Sequence, residues 1–180
     1  MAEVGAVYDV TPVVRTPADI IAREDDTDRT PAPKAANKWL TASVVNDAAS
    51  VISAVFDEAQ RRDPDHRRTW VALVDGAKHQ IECINAEAKA RGVKVSIVCD
   101  FIHVLEYLWS SAWSFFSEGD SAAEAWVAEK ALAVLRGQAS TVAASIRRKA
   151  TCLGLDPRAR ESADRCANYL LAKRAYGISI

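Results

Sequence analysis

The chain has 180 residues, of which 49% are apolar and 26% are charged, and its formal net charge is −1. A chain of this length and composition can bury one substantial core, so we expect a folded domain. No run of about 18 or more apolar residues occurs, which argues against a membrane-spanning helix. The first ten residues lack the basic start and long apolar stretch of a secretory signal, so we expect a cytoplasmic protein.

Charge is distributed unevenly along the chain. Residues 1–66 carry 7 basic and 12 acidic side chains, a net charge of −5. Residues 136–174 carry 9 basic and 3 acidic side chains, a net charge of +6. A basic segment attracts phosphate backbones, although a solvated helical surface has the same composition. Charge alone therefore leaves both interpretations open.

The four cysteines do not have the spacing of a metal site. No two of them form a CxxC pair, and disulfides are rare in cytosolic proteins. We interpret all four as small apolar residues. They are Cys83, Cys99, Cys152 and Cys166.

The first third of the chain is predicted to form a strand, a loop and a helix. In residues 1–15 apolar and polar side chains alternate as they do in a strand. Residues 16–38 contain three prolines and an acidic cluster at residues 24–28, which is typical of a loop or a disordered insertion. Apolar residues then recur at helical spacing, which predicts a helix that begins near Thr41 and is capped by Thr41 or Ser43.

A strand, a helix and a second strand are predicted next. Thr69–Val74 is a short, continuous apolar run, which is typical of a strand buried on both faces. His79–Arg91 has a helical apolar face and is closed by Gly92. Val93–Phe101 is a second apolar run, so the three segments form a βαβ unit that should be parallel and right-handed.

Beyond this unit the apolar spacing is helical almost to the end of the sequence. We assign residues 39–117 to an α/β core and residues 118–180 to a helical region. The predicted fold class is therefore α/β, with a βαβ unit followed by helices.

Acidic residues at the ends of the two strands are the candidates for chemistry. In the predicted βαβ unit, Asp75 closes the first strand and is followed by Gly76, and Asp100 lies near the end of the second strand. Ligands of open α/β sheets bind beyond the carboxyl ends of strands, where a carboxylate can hold a divalent metal. A capping or turn role explains the same position of Asp75. His79 and His103 follow the two acids closely, and each is either a metal ligand or a hydrogen-bonded structural histidine.

Several other kinds of site find no support in the sequence. The turn after the first strand has a single glycine, so it is neither a P-loop nor a dinucleotide-binding turn, and no GxSxG motif occurs. The aromatic residues of the helical region have the spacing of a core rather than of a base-stacking surface. The basic residues that could contact phosphates are Arg147, Arg148, Lys149, Arg158 and Arg160.

One long stretch carries a resemblance to a known family. Residues 68–109, RTWVALVDGAKHQIECINAEAKARGVKVSIVCDFIHVLEYLW, resemble the core of insertion-sequence transposases of the Kra type, a branch of the DDE transposases. Residues 1–20 and the later stretches AWVAEKALAVLRG, IRRKAT and DRCANYLLAK are similar to the same family and follow in its order.

The resemblance implies a partial RNase H-like sheet of about three strands with an α-helical insertion. It implies DNA cleavage and joining by two metal ions, Mg²⁺ or Mn²⁺, that three acidic residues hold. Asp75 corresponds to the second of these acids, and His79, Asp100 and His103 would support the site. The implied partner is DNA at the transposon ends, and no membrane is implied.

The sequence also departs from the family. The first catalytic Asp would lie on a strand before residue 1, Asp9 is not expected to replace it, and the catalytic Glu would lie beyond the helical insertion. We therefore expect a truncated, inactive fragment that does not hold the metal pair. Two alternatives stay open. One is an inhibitory fragment that self-associates, pairs with full-length transposase or binds DNA; the other is an unrelated α/β domain that binds a small molecule.

Overall fold

A computed structural model describes residues 2–22, 28–174 and 176–179, and over these ranges the protein is α/β. In chain order the elements are β1 (Glu3–Val10), α1 (Pro17–Ile21), β2 (Ala35–Ser43), α2 (Ala48–Arg62), β3 (Trp70–Val74), α3 (Lys78–Arg91), β4 (Val95–Asp100), α4 (Phe101–Ala112), α5 (Ser121–Leu135), α6 (Ala139–Cys152), α7 (Glu161–Lys173) and β5 (Gly177–Ser179). They divide into two compact units. The first is Met1–Val14 with Pro31–Val98, and the second is Arg15–Thr30 with Cys99–Ile180.

The first unit begins with an antiparallel pair of strands. Strand β1 was predicted and pairs with β2 in a register that places Gly5 opposite Thr41. The prediction of a loop up to residue 38 followed by a helix near Thr41 is wrong, because Ala35–Ser43 is a strand. Half-buried Trp39 and Thr41 alternate with exposed Leu40, and this two-residue period suits pairing with β1.

Helix α2 begins later than the sequence indicated. Its cap is Asp47, whose carboxylate accepts the backbone N–H of Ser50 at 2.9 Å. The hydroxyl of Ser43 instead accepts two backbone N–H groups in the turn that leaves β2. Thr41 lies inside the strand, so the prediction that Thr41 or Ser43 caps the helix is wrong.

The strand, helix and strand predicted after α2 are confirmed as β3, α3 and β4, and β3 and β4 are neighbours in the second sheet. The prediction that β3 is buried on both faces is wrong, since Val71 and Leu73 are 59% and 47% exposed. Covering both faces of a sheet requires helices on both sides. Helix α3 packs on β3, whereas α2 packs on α3 and on the strand pair β1 and β2.

The second unit is mainly helical, as predicted for the later part of the chain. Helices α4, α5, α6 and α7 surround a core in which Leu108 and Ile146 are fully buried. Residues 17–21, predicted as loop, form helix α1, because Thr16 and Asp19 make a reciprocal capping box that satisfies its first N–H groups. Residues 24–26 of the predicted acidic cluster lie outside the described residues.

A polar network ties the end of α2 to the strand pair. Glu58 is only 8% exposed, and its carboxylate accepts hydrogen bonds of 2.7 Å from both Arg61 and Arg62. Arg62 also donates to the backbone carbonyl of Asn37 in β2 at 2.6 Å. The negative charge of Glu58 therefore holds Arg62 in place, and Arg62 joins α2 to β2.

This network predicts an acid-sensitive first unit. Hydrogen bonds from Arg61 and then from Arg62 lower the pKa of Glu58 to about 2. A carboxyl group whose pKa is lower in the folded state stabilises the fold above its unfolded pKa, and this contribution is lost as pH falls through the folded value. We predict that stability declines between about pH 4 and pH 2, and that Glu58→Gln makes the protein less stable near neutral pH while flattening this decline.

Urea unfolding followed by circular dichroism, near neutral pH and at about pH 3, measures the effect. Glu82→Gln, an exposed carboxylate of α3, is the matched control. If the free energy of unfolding fell equally on acidification in wild type and in both variants, the prediction would be contradicted.

Candidate functional site

Asp75 lies where the sequence placed it, directly after β3 and on the surface. Its Oδ1 accepts the backbone N–H of Ala77 at 2.7 Å, and Gly76 between them has a φ of 94°. That positive φ favours glycine and lets the chain turn sharply into α3. The side chain of Asp75 therefore stabilises the turn, which was one of its two interpretations. Its carboxylate faces the surface.

Asp100 and His103 lie at the start of α4, in the second unit. Asp100 caps this helix by accepting the N–H of Ile102 at 3.0 Å. The Nδ1 of His103 lies 2.9 Å from a carboxylate oxygen of Glu106, and its ring meets Tyr107 edge to face. Both residues thus have local partners on their own helix, and an open cleft of about 200 Å³ adjoins His103.

The described residues do not assemble a donor set for a metal pair. Nowhere in residues 2–22, 28–174 and 176–179 do three or more His, Cys, Asp or Glu side chains converge as a metal site requires. Two-metal chemistry needs several carboxylates around one pair of ions. Residues 2–22, 28–174 and 176–179 therefore do not supply ligands that fit the Mg²⁺ or Mn²⁺ pair that the resemblance implies.

Asp9 belongs to a cluster that the sequence did not reveal. Its carboxylate accepts hydrogen bonds from Asn37 at 2.8 Å and from Arg68 at 2.9 Å, and lies 3.8 Å from Arg62. The hydrogen bond from Asn37, followed by the charges of Arg68 and Arg62, lowers the pKa of Asp9. These contacts make Asp9 a structural partner of arginines, beside an open cleft of about 260 Å³.

His79 is exposed in the first turn of α3. Its Nε2 lies 3.7 Å from the sulfur of Cys83, one helical turn further on. From the sequence, His79 was predicted to support a site at Asp75, and Cys83 was interpreted as a small apolar residue. The signal for their contact was the four-residue spacing on one helix, which brings two side chains together.

The five basic residues predicted to bind DNA differ in their surroundings. Arg147 donates to the side chain of Asn168 at 2.6 Å, and Arg160 makes a double contact with Asp164. Arg148 and Arg158 are exposed, and no ion pair of either is found among the described residues. Two of the five side chains, those of Arg148 and Arg158, are thus exposed to solvent.

Lys149 is the fifth of these residues, and it lies against aromatic rings. Its Nζ is 4.3 Å from the ring centre of Phe116, 5.2 Å from that of Phe115 and 5.8 Å from that of Trp126. A cation over aromatic faces is attracted by their negative charge density. These aromatic residues pack on the helical core, as predicted, and Lys149 covers them.

We predict that Lys149→Gln lowers the free energy of unfolding by about 0.5–2 kcal/mol, because the cation–aromatic attraction is lost. Urea unfolding measures this value. Arg148→Gln, at the exposed neighbouring position, should change it by less than about 0.5 kcal/mol. Equal effects of the two substitutions would show that the rings do not hold Lys149.

Comparison with known proteins does not place the chain in a family. No family model matches, and neither the curated proteins nor the solved structures contain a match. Among the described residues no helix is long and apolar enough to cross a membrane.

Proposed function

We propose that the chain is part of a DDE transposase with an RNase H-like core, and that it does not catalyse DNA cleavage by itself. The observation that carries the proposal is the position of Asp75, which directly follows β3 in the unit formed by β3, α3 and β4. The end of such a strand is where an open α/β sheet places its ligand-binding groups. In this proposal Asp75 is the metal-binding carboxylate of the lineage.

The order of elements supports the proposal. The antiparallel pair β1 and β2 is followed by α2, β3, α3, β4 and α4. Along the chain this order agrees with an RNase H-like core taken from its second strand onward, which is where the resemblance placed the opening residues, while β1 and β2 form a sheet separate from that of β3 and β4. The helices α5, α6 and α7 then occupy the place of the helical insertion.

Inactivity follows from the number of carboxylates that a metal pair requires. One aspartate cannot hold two ions, and the part of the chain that the structure describes offers no cluster of three donors. Mg²⁺ or Mn²⁺ would bring Lewis acidity to the scissile phosphate in an intact enzyme. Asp75 would then need partner carboxylates to share the ions.

A nicking and strand-transfer assay with Mg²⁺ or Mn²⁺ tests the inactivity. We predict no metal-dependent cleavage by the purified chain, and no difference between wild type and Asp75→Ala. Asp65→Ala, at another exposed aspartate, is the control. Cleavage that needs metal and disappears only in Asp75→Ala would overturn the inactivity while supporting the lineage. Translation of the DNA on both sides of the gene tests the lineage, since the absence of any transposase-like reading frame would count against it.

A second candidate function is DNA binding by an inhibitory fragment. The observation that favours it is the exposure of Arg148 and Arg158 in a segment with a net charge of +6. Exposed arginines that are not held by carboxylates can contact phosphates and release counterions from DNA. Such binding would depend on charge rather than on base sequence.

The same candidate includes pairing with another chain. In the first unit β1 pairs only with β2, and β3 lies at the end of its own sheet, as far as the described residues show. An unpaired strand edge offers backbone donors and acceptors to another polypeptide. Exposed Val4, Val71 and Leu73 on these strands add apolar surface, so the candidate also includes self-association or pairing with an intact transposase.

Fluorescence anisotropy with duplex DNA at increasing salt tests the DNA-binding candidate. We predict weak binding whose affinity falls steeply with salt, and a slope reduced by about two phosphate contacts in the Arg148→Ala, Arg158→Ala double variant. Arg67→Ala, an exposed arginine of the first unit, is the control. Absence of binding at low salt, or an unchanged slope in the double variant, would contradict this candidate.

A further inference from the structure

A thiol and an imidazole face each other on the surface of α3. His79 and Cys83 are four residues apart on this helix, so their side chains lie on one face. The Cys83 sulfur is 3.7 Å from His79 Nε2. His79 is exposed and Cys83 is half-buried, so small molecules in solution can reach the pair.

The other three thiols are in different surroundings. Cys99 and Cys166 are fully buried, and burial raises the pKa of Cys166 to about 12. Cys152 is exposed and is the last residue of α6. No imidazole contacts Cys152 within the described ranges. Cys83 is therefore the accessible thiol that has a base beside it.

A carboxylate lies near the imidazole. Hydrogen bonds from the side chain and then the backbone N–H of Ser50 lower the pKa of Asp47, and the charge of His79 lowers it further. The carboxylate of Asp47 therefore interacts electrostatically with His79. Lys78 and Glu82, which flank the pair on α3, lie 3.5 Å apart and largely offset each other.

We propose that Cys83 is a site of thiol oxidation by hydroperoxides, with His79 as the base that accepts the thiol proton. The proton passes from sulfur to Nε2 of the tautomer that is protonated at Nδ1. The thiolate attacks one peroxide oxygen, so that an S–O bond forms and the O–O bond breaks. The leaving oxygen takes the proton from the imidazolium and departs as water or alcohol. The sulfur is oxidised by two electrons to a sulfenic acid, and the peroxide is reduced.

Trapping of the sulfenic acid tests the proposal in the full chain. The protein is treated with hydrogen peroxide and a dimedone-type trap near neutral pH, and peptide mass spectrometry follows each cysteine with time. We expect Cys83 to be trapped about tenfold faster than Cys152. In urea-unfolded protein the two rates should become equal, because only the folded helix holds His79 beside the sulfur.

Variants separate the base from a structural effect. His79→Gln should lower the rate at Cys83 to that at Cys152 and leave Cys152 unchanged, while thermal unfolding stays as in wild type. His103→Gln, at a histidine of the second unit, is the matched control and should change neither rate. Equal rates at the two cysteines in the folded protein, or an unchanged Cys83 rate in His79→Gln, would overturn the proposal. None of these outcomes depends on transposase activity.

Discussion

The close approach of α2 to β1 is the contact on which the first unit depends. A methyl group added at Gly5 would lie 2.5 Å from a side-chain carbon of Val55, which is inside van der Waals contact. Only a residue without a side chain lets the helix lie this near the strand. Buried Val51 and Phe56 of α2 then cover the strand pair and the start of β3, since the ring of Phe56 meets that of Trp70 at 6.1 Å. One helix thus joins two sheets that are not paired with each other.

That arrangement explains the polar contacts at the end of the helix. Arg62 lies at the last turn of α2, where a cation opposes the negative end of the helix dipole. From there it reaches Glu58, Asn37 and Asp9, so it connects α2 with both strands of the pair. Arg68, just before β3, reaches the same carboxylate of Asp9. Asp9 is fully engaged by these partners, which is a physical reason for not assigning it to metal binding.

The sequence predicted some elements well because their signals are local. The strands β3 and β4 have short apolar runs, and α3 has a helical apolar face. Gly92 takes the left-handed conformation that ends α3. β2 was missed because its alternation is short and lies between a proline-rich segment and the apolar residues of α2. Its strand character comes from pairing with β1, whose partner residues lie between 25 (Val10 and Ala35) and 40 (Glu3 and Ser43) positions away along the chain, so no local pattern reports the contact. The turn role of Asp75 was foreseen as one of two interpretations, whereas the contacts of Lys149 depend on how helices α4, α5 and α6 pack.

Lys149 also shows why net charge is a poor measure of a binding surface. The sequence assigned five basic residues to phosphate contacts, and the fold engages three of them elsewhere. An arginine that already has a carboxylate or amide partner must give up that bond to reach a phosphate, so its contribution to affinity is reduced. The long-range field of the segment persists, because pairing within the protein does not remove the excess positive charge. Of the five predicted residues, Arg148 and Arg158 would therefore contribute most to the affinity of the proposed complex with DNA.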